Sequence, residues 1–165
     1  MLDEHNLVKS GVLRVAELMA IAAKTAPKAR GIDNIEVKVV TERDELERLA
    51  KVMEELASEY GAFLSRDAKS VRESDAVVLI GAKVVDLGIK TPPEYRVDIN
   101  TVMALLNLGI ALGSAVKIAS MLNVDNRIMY SVGIAAQKMK LLEADFVIGI
   151  PLSVKGKNIY FDRKA

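Results

Sequence analysis

The chain has 165 residues, which suits one domain large enough for a substantial core. Its 23 basic and 22 acidic residues give a formal net charge of +1, so neither nucleic acid nor an anionic membrane is an expected partner. Cysteine is absent, which excludes disulfides, thiol nucleophiles and cysteine-ligated zinc or iron–sulfur clusters within the chain.

The N-terminus and the composition bear on where the protein works. The first residues carry acids before the first base and lack the apolar core of a signal peptide, so we expect a cytoplasmic protein. A charged fraction of 27% without cysteine suits a thermophilic source. No repeat or linker divides the sequence, and we predict a single α/β domain over residues 1–165.

Helical and strand patterns alternate through the first half of the chain. Apolar pairs recur at helical spacing before Pro27, and an amphipathic stripe further on ends at Gly61. Residues 63–75 are expected to be irregular or briefly helical. The predicted elements are a helix over 7–26, a strand over 35–40, a helix over 41–61 and a fully buried strand over 76–81.

The second half begins with a connection over 86–97, where Pro92-Pro93 forbids regular structure and indicates a loop or flap. Pro151 is expected to stop the last core strand. The predicted elements are a helix over 101–123, a strand over 126–132, a helix over 134–142, a strand over 146–150 and a terminal strand over 159–161. This order predicts α/β layers in which helices pack on a mixed sheet.

The helix predicted from Thr101 to Asn123 is the centre of this arrangement. Lys117 is its only charge, and its apolar side chains surround the helix, so it must be buried on every side. Its length would also suit a membrane span, but no Trp or Tyr lies at its ends and polar residues interrupt it. Gly109 and Gly113 allow another backbone to approach closely. We therefore predict a core helix covered by the sheet on one side and by its twin in a homodimer on the other.

Polar groups gather in three places that the core does not explain. Residues 24–34 and 153–157, with Arg163, carry cations beside glycines, and together they would suit a phosphate or carboxylate. The alternative is that both are ordinary surface turns. Residues 123–127 suit a turn at a helix end. His5, the single histidine, lies near the N-terminus and is assigned no role, and Asn107 is interpreted as a polar group of the dimer interface.

Four segments carry a family resemblance: TAPKARGID, LGIALGSAVKIASMLNVDNRIMYSVG, ADFVIGIPLS and GKNIYFDR. They resemble an uncharacterised prokaryotic family described as containing a ferredoxin-type domain, and the likeness is most specific over residues 108–133. In that family a cysteine-rich segment lies between the buried strand and the central helix. This chain has DLGIKTPPEYRVDIN there, so no iron–sulfur cluster is expected.

The chain is also similar to the FMN-dependent nitroreductase fold, in which a helix ending in Ala-Pro precedes the second strand and a long helix of small residues forms the dimer core. Ala26-Pro27 and the run from Phe146 to Pro151 carry this likeness. The resemblance implies a flavin pocket at a dimer interface. Its expected cofactor-binding residues are Pro27, Lys28, Ala29, Arg30 and Gly31, with Lys155, Gly156 and Lys157 approaching the phosphate.

The chain departs from that pattern at the residues that hold the flavin. The N-terminal arginine cluster is missing, Lys28 replaces a serine, and Gly31 and Asp33 stand where an asparagine and a glutamine contact the ring. Two interpretations therefore stay open. The first is an FMN- or nucleotide-binding oxidoreductase, and the second is a non-catalytic homodimeric scaffold or partner protein that has lost its cofactor ligands.

Overall fold

The computed structural model describes Met1 and residues 3–161. Its helices are α1 (Glu4–Thr25), α2 (Arg43–Tyr60), α3 (Phe63–Glu73), α4 (Ile99–Met121) and α5 (Tyr130–Lys138). Its strands are β1 (Ile35–Val40), β2 (Ala76–Ala82), β3 (Asp125–Asn126) and β4 (Phe146–Ser153), and a 3₁₀ turn covers Ala29–Gly31. The predicted α/β class is confirmed, and most predicted elements agree with these bounds within a few residues.

The sheet has the strand order β1-β2-β4-β3, and each of its pairings is antiparallel. The prediction of a mixed sheet was therefore wrong in strand direction. The physical reason lies in the segment after α2, where Phe63–Glu73 form the regular helix α3. The helix pair α2–α3 runs away from the end of β1 and back again, so β2 returns antiparallel to β1.

The helices cover both faces of this sheet, so the domain has three layers. β2 lies at the centre and is buried along its whole length, as predicted. Its alternate residues enter different cores: Val78 and Ile80 pack toward α1 and α4, and Val77 and Leu79 pack toward α2, α3 and α5. Both cores consist mainly of aliphatic side chains, and their burial is the chief stabilising term of the fold.

The helix α4 begins and ends close to its predicted bounds, and Asp98 caps it by accepting from the N–H of Asn100. It is long and apolar enough to span a bilayer, but its inner side packs against α1 and the sheet as part of the first core. The expectation of burial on every side holds only for that inner side. In the single chain Leu105, Leu106 and Ile110 are about half exposed.

The segment before β4 differs from its prediction. The expected strand over 126–132 shrinks to β3 with an isolated bridge from Met129 to Gly149, and α5 begins at Tyr130 instead of after Gly133. Gly133 lies inside the helix, and it packs so closely on β4 that a Cβ there would stand 1.9 Å from the carbonyl oxygen of Val147. Glycine therefore marks a close helix–strand contact at this position, and the sequence pattern alone favours a helix break.

The C-terminal part of the chain also corrects two predictions. β4 continues through Pro151. On the β3 side, this residue lies between the pairing of Asn126 with Leu152 and the Met129–Gly149 bridge, so no acceptor there requires the N–H that proline lacks. Residues 159–161, predicted as a terminal strand, form a turn instead. Tyr160 from this turn is fully buried in the second core.

Replacing Tyr160 with Phe should cost about 1 kcal/mol of unfolding free energy, the usual net value of one hydrogen bond. The Tyr160 hydroxyl lies 2.8 Å from Ser74 Oγ, and burial raises the pKa of this phenol, so it stays neutral. Ser74 Oγ also donates to the carbonyl of Ser70, so it keeps one partner in the variant. Urea unfolding would measure the change, and a loss above about 3 kcal/mol would contradict this simple account.

Candidate functional site

The two basic segments predicted from the sequence lie at opposite ends of the sheet. Residues 27–31 precede β1, at the end where Ile35 pairs with Ala82, here called the loop end. Residues 155–157 follow β4, at the end where Leu152 pairs with Ala76, here called the turn end. A strand of seven residues spans roughly 20 Å, so one chain does not bring these segments together. Arg163 lies outside the described residues.

At the loop end, the chain between α1 and β1 makes a tight turn with two left-handed residues. The φ angles are 54° at Arg30 and 67° at Gly31. Gly31 is exposed, and a Cβ added to it would meet nothing within 4 Å. A ligand could therefore approach the backbone here without meeting a side chain.

The cations of this loop also hold it together. Lys28 Nζ donates to the carbonyls of Lys24 at 2.5 Å and Ala26 at 2.9 Å, where α1 ends. The Arg30 guanidinium donates to the carbonyl of Leu87 at 2.5 Å. Each side chain keeps further N–H donors, because ammonium has three and guanidinium five. Pro27 and Arg30 are exposed, and Lys28 is partly exposed.

Lys24 and Asp33 form an ion pair at the loop end that joins α1 to the start of β1. Lys24 Nζ lies 2.5 Å from Asp33 Oδ2 and 2.8 Å from the carbonyl oxygen of Ile35. The hydrogen bond from Lys24 lowers the pKa of Asp33 below its ordinary value. Both residues line an open depression of about 630 Å³, which also contains Asn34, Lys83 and Glu143. Since Asp33 is paired internally, it keeps little capacity to bind a ligand cation.

Asn107 connects α4 to this loop. It is only 4% exposed, and its Oδ1 accepts from the backbone N–H of Ala29 at 3.0 Å. Its Nδ2 donates to Asn34 Oδ1 at 3.0 Å. The sequence interpretation assigned Asn107 to a dimer interface, but the structure directs its amide toward the loop of the same chain.

At the turn end, a more enclosed cavity of about 510 Å³ lies between the start of α1, the start of α2 and the turn after β4. Its lining includes His5, the cations Lys9, Arg43, Arg72 and Lys155, and the acids Glu42, Glu73 and Asp75. Arg43 donates to the carbonyls of Arg72 and Ser74, which fixes its guanidinium. Within the described part of the chain, His5, Lys9 and Lys155 make no hydrogen bond or ion pair.

Sequence reasoning found Lys155 in this cavity but missed His5, Lys9 and Arg43. These residues stand near the N-terminus and after β1, and only the tertiary fold brings them to residue 155. Gly156 and Lys157 lie in the same exposed turn as Lys155, and a Cβ at Gly156 would meet nothing within 4 Å. The cavity can hold an anion, because unpaired cations line it, and its volume lies within the usual range for ligand sites.

The third polar segment, residues 123–127, builds a turn as expected. Asn123 takes a left-handed conformation with φ 56°, and Asn126 Nδ2 donates to the carbonyl of Val124. Arg127 donates to the carbonyl of Tyr160 and lies 5.1 Å from the centre of the Phe161 ring. These groups therefore serve the fold.

The outer surface of α1 and α4 carries many exposed apolar side chains, with the charged Arg14 and Lys117 among them, and no other described residues cover it. Gly109 and Gly113 are exposed at its centre, and a Cβ on either would meet nothing within 4 Å. The exposed apolar side chains of this face include Leu7, Leu18, Ile21, Leu105, Leu106, Ile110 and Met121. We call this surface the α1/α4 face.

The arrangement of helices around this sheet is that of the nitroreductase fold. A putative NADH dehydrogenase/NAD(P)H nitroreductase from Bacteroides thetaiotaomicron matches with a TM-score of 0.61 and 14% identity over 87% of this chain and 74% of its own. A BluB-like flavoprotein from Clostridium difficile matches with a TM-score of 0.60 and 18% identity over 92% of this chain and 84% of its own. An NADPH:FMN oxidoreductase from Vibrio harveyi, complexed with NAD⁺, matches with a TM-score of 0.60 and 13% identity over 88% of this chain and 60% of its own.

The sequence comparisons define the family more narrowly. Residues 98–163 match the family described as uncharacterized proteins containing a ferredoxin domain (DUF2148). An uncharacterized protein from Archaeoglobus fulgidus is 42% identical over 99% of this chain and 97% of its own length. The chain belongs to this family, which confirms the resemblance noted in its sequence.

The ferredoxin name does not fit the residues of this member. The chain contains no cysteine, so it cannot supply the thiolates that hold a cysteine-ligated cluster. Among the described residues, no group of three or more His, Asp or Glu side chains could hold a metal ion. The chemistry on offer is that of cations, backbone N–H groups and apolar surface.

Proposed function

We propose that this protein is a cytoplasmic, homodimeric oxidoreductase that binds FMN, or a related nucleotide, in sites shared between two protomers. The observation that carries the proposal is the turn-end cavity, where Lys9, His5 and Lys155 gather without partners in the described part of the chain. A phosphate group is a suitable ligand, because ammonium and imidazolium groups stabilise its charge. The fold is the one shared with the flavoprotein and FMN oxidoreductase named above.

The directions of α1 and α4 suggest how the separated segments would form one site. α1 begins beside the turn-end cavity, and its last turn reaches the loop end through Lys24. α4 runs the opposite way: Asn100 in its first turn accepts from the N–H of Leu87, and Asn123, just after its end, lies beside Asn158. A two-fold axis through Gly109 and Gly113 would pass near the middle of α4. It would place the loop end of one protomer beside the turn end of its partner.

The size of the α1/α4 face supports such a pairing. α1 has 22 residues and α4 has 23. Two helices of this length side by side cover roughly 30 Å by 20 Å, or about 600 Å², which is three quarters of the roughly 800 Å² per partner of a stable interface. The two glycines at the centre would permit close contact between the paired α4 helices. A largely apolar face of this size lies at the upper end of what monomers expose, which favours its burial in a dimer.

The residues present suit an FMN molecule placed in this way. Lys9 and Lys155, with Lys157 nearby, would neutralise the phosphate, and His5 would add charge when protonated. Lys28 and Arg30 would present their remaining donors from the other protomer, and Gly31 would let the ligand approach the backbone. FMN, when bound, supplies the capacity to accept and pass on electrons. The protein residues would bind and orient it, and the surrounding apolar face would exclude water.

An FMN titration of Lys155→Ala tests the cofactor proposal. Removing this ammonium should weaken FMN binding about tenfold, because a charge-assisted contact to the phosphate is lost. Flavin fluorescence and the change in melting temperature on adding FMN would both report binding. Lys51→Ala, an exposed lysine on α2, is the matched control and should bind like wild type. Wild-type protein that binds no FMN would overturn the proposal.

A scaffold function is the alternative, and one observation favours it. Lys28 and Arg30 already spend donors on carbonyls of their own chain, as residues of a purely structural loop would. Under this interpretation the protein is dimeric but indifferent to FMN, and Lys155→Ala behaves like Lys51→Ala in every assay.

A further inference from the structure

The structure describes every residue of α4, and Asn107 is the one polar residue among those that are buried. A buried polar group is costly unless its hydrogen bonds are made, and here both ends of the amide have partners. Neither partner belongs to α4. Both lie in the segment between α1 and β1, which carries the loop-end residues.

The orientation of this amide is determined by the groups at the two ends of a short chain of hydrogen bonds. Ala29 N–H can only donate, so it requires Oδ1 of Asn107. Asn107 Nδ2 then faces Asn34 Oδ1, and Asn34 Nδ2 donates to the carbonyl of Lys83 at 2.7 Å. Because the chain has a backbone donor at one end and a backbone acceptor at the other, the oxygen and nitrogen of both side-chain amides can be assigned in one way only.

We propose that Asn107 is a positioning residue for the loop formed by residues 26–34. It fixes the backbone at Ala29, directly before the left-handed residues Arg30 and Gly31, and through Asn34 it ties the loop to the segment that begins at Lys83. A non-glycine residue keeps a left-handed conformation only when its surroundings hold it, and Arg30 needs such support. The role of Asn107 in holding the loop does not depend on the proposed function; the role of the loop in binding a cofactor does.

The requirement is specific to an amide of this length. Leucine has a similar size but offers neither the acceptor for Ala29 nor the donor for Asn34. Aspartate keeps the acceptor but loses the donor and introduces a buried charge. Asn107→Leu should therefore release the loop fully, and Asn107→Asp should retain part of the protection at Ala29.

Amide hydrogen exchange on the intact protein without FMN tests this role. In Asn107→Leu, the amides of residues 28–34 should exchange about tenfold faster than in wild type, since the loop loses two hydrogen bonds. Asn107→Asp should give an intermediate rate, and β2 should keep its wild-type protection in both variants. Ser131→Ala, which removes a buried hydrogen bond to Asp67 elsewhere in the fold, should leave the exchange of residues 28–34 unchanged.

Unchanged exchange of residues 28–34 in Asn107→Leu would overturn the inference. Faster exchange across β2 as well would also overturn it, because Asn107 would then support the whole core. Adding FMN separates this inference from the proposed function. Wild-type protein that ignores FMN refutes the cofactor, while the exchange pattern still decides the role of Asn107. If wild type binds FMN, Asn107→Leu should bind it with an affinity at least about fivefold lower.

Discussion

Gly133→Ala should destabilise the protein by about 3 kcal/mol or more, although it adds only one methyl group. The new Cβ would lie 1.9 Å from the carbonyl oxygen of Val147 and 2.7 Å from its carbonyl carbon. Both atoms belong to the backbone of β4, so no side-chain rotation relieves the contact. α5 would have to move away from the sheet and would lose packing around Val132 and Ala136.

Thermal unfolding measures this effect, and a fall in melting temperature of roughly 10 °C corresponds to that loss in a domain of this size. Gly11→Ala is the matched control, because Gly11 is also helical but a Cβ there meets nothing within 4 Å. The control should gain about 0.5–1 kcal/mol, since alanine loses less entropy than glycine in a helix. Equal stability of Gly133→Ala and wild type would show that α5 does not approach β4 this closely.

Gly113→Glu should convert the proposed dimer into a monomer. A carboxylate at the centre of the α1/α4 face would be buried against the twin helix without a partner, which is a cost of several kcal/mol. Association should weaken at least about a hundredfold. The fold of the single chain should survive, because Gly113 is exposed there and the new side chain can reach solvent.

Light scattering after size-exclusion chromatography gives the mass directly, and circular dichroism checks the fold. Ser58→Glu, on the exposed surface of α2, adds the same charge away from this face and should remain dimeric. A Gly113→Glu protein that keeps the dimer mass would place the interface elsewhere and remove the geometric basis of a shared site.

The sequence was informative wherever one periodic pattern decided an element. The uninterrupted apolar run of β2 and the long apolar stretch of α4 fixed the centre of the fold, and the family resemblance supplied its type. Strand direction was missed because the short, highly charged segment of α3 was interpreted as irregular or briefly helical, and a second full helix after α2 was not expected. Gly133 was interpreted as the end of a strand and Pro151 as the end of β4. Both residues lie inside regular elements because of contacts with neighbouring backbone, which only the tertiary structure shows.

The candidate site was predictable only in part, for a similar reason. Lys28, Arg30 and Lys155 could be found because cations cluster beside glycine in local sequence. Their separation to opposite ends of the sheet could not be found, nor could the union of Lys9 and Lys155 in one cavity. Contacts between residues far apart in sequence leave no local signal when a single sequence is read.

A subunit-complementation experiment tests the shared site most directly. Lys28→Ala changes the loop end and Lys155→Ala changes the turn end, so each homodimer should bind FMN weakly. After subunit exchange at equal amounts, half of the dimers are mixed. One site of each mixed dimer would then combine an intact loop with an intact turn, which restores tight binding at about a quarter of all sites. Restoration at that level is the predicted result. Mixed dimers that bind no better than either variant alone would contradict a site built from two protomers.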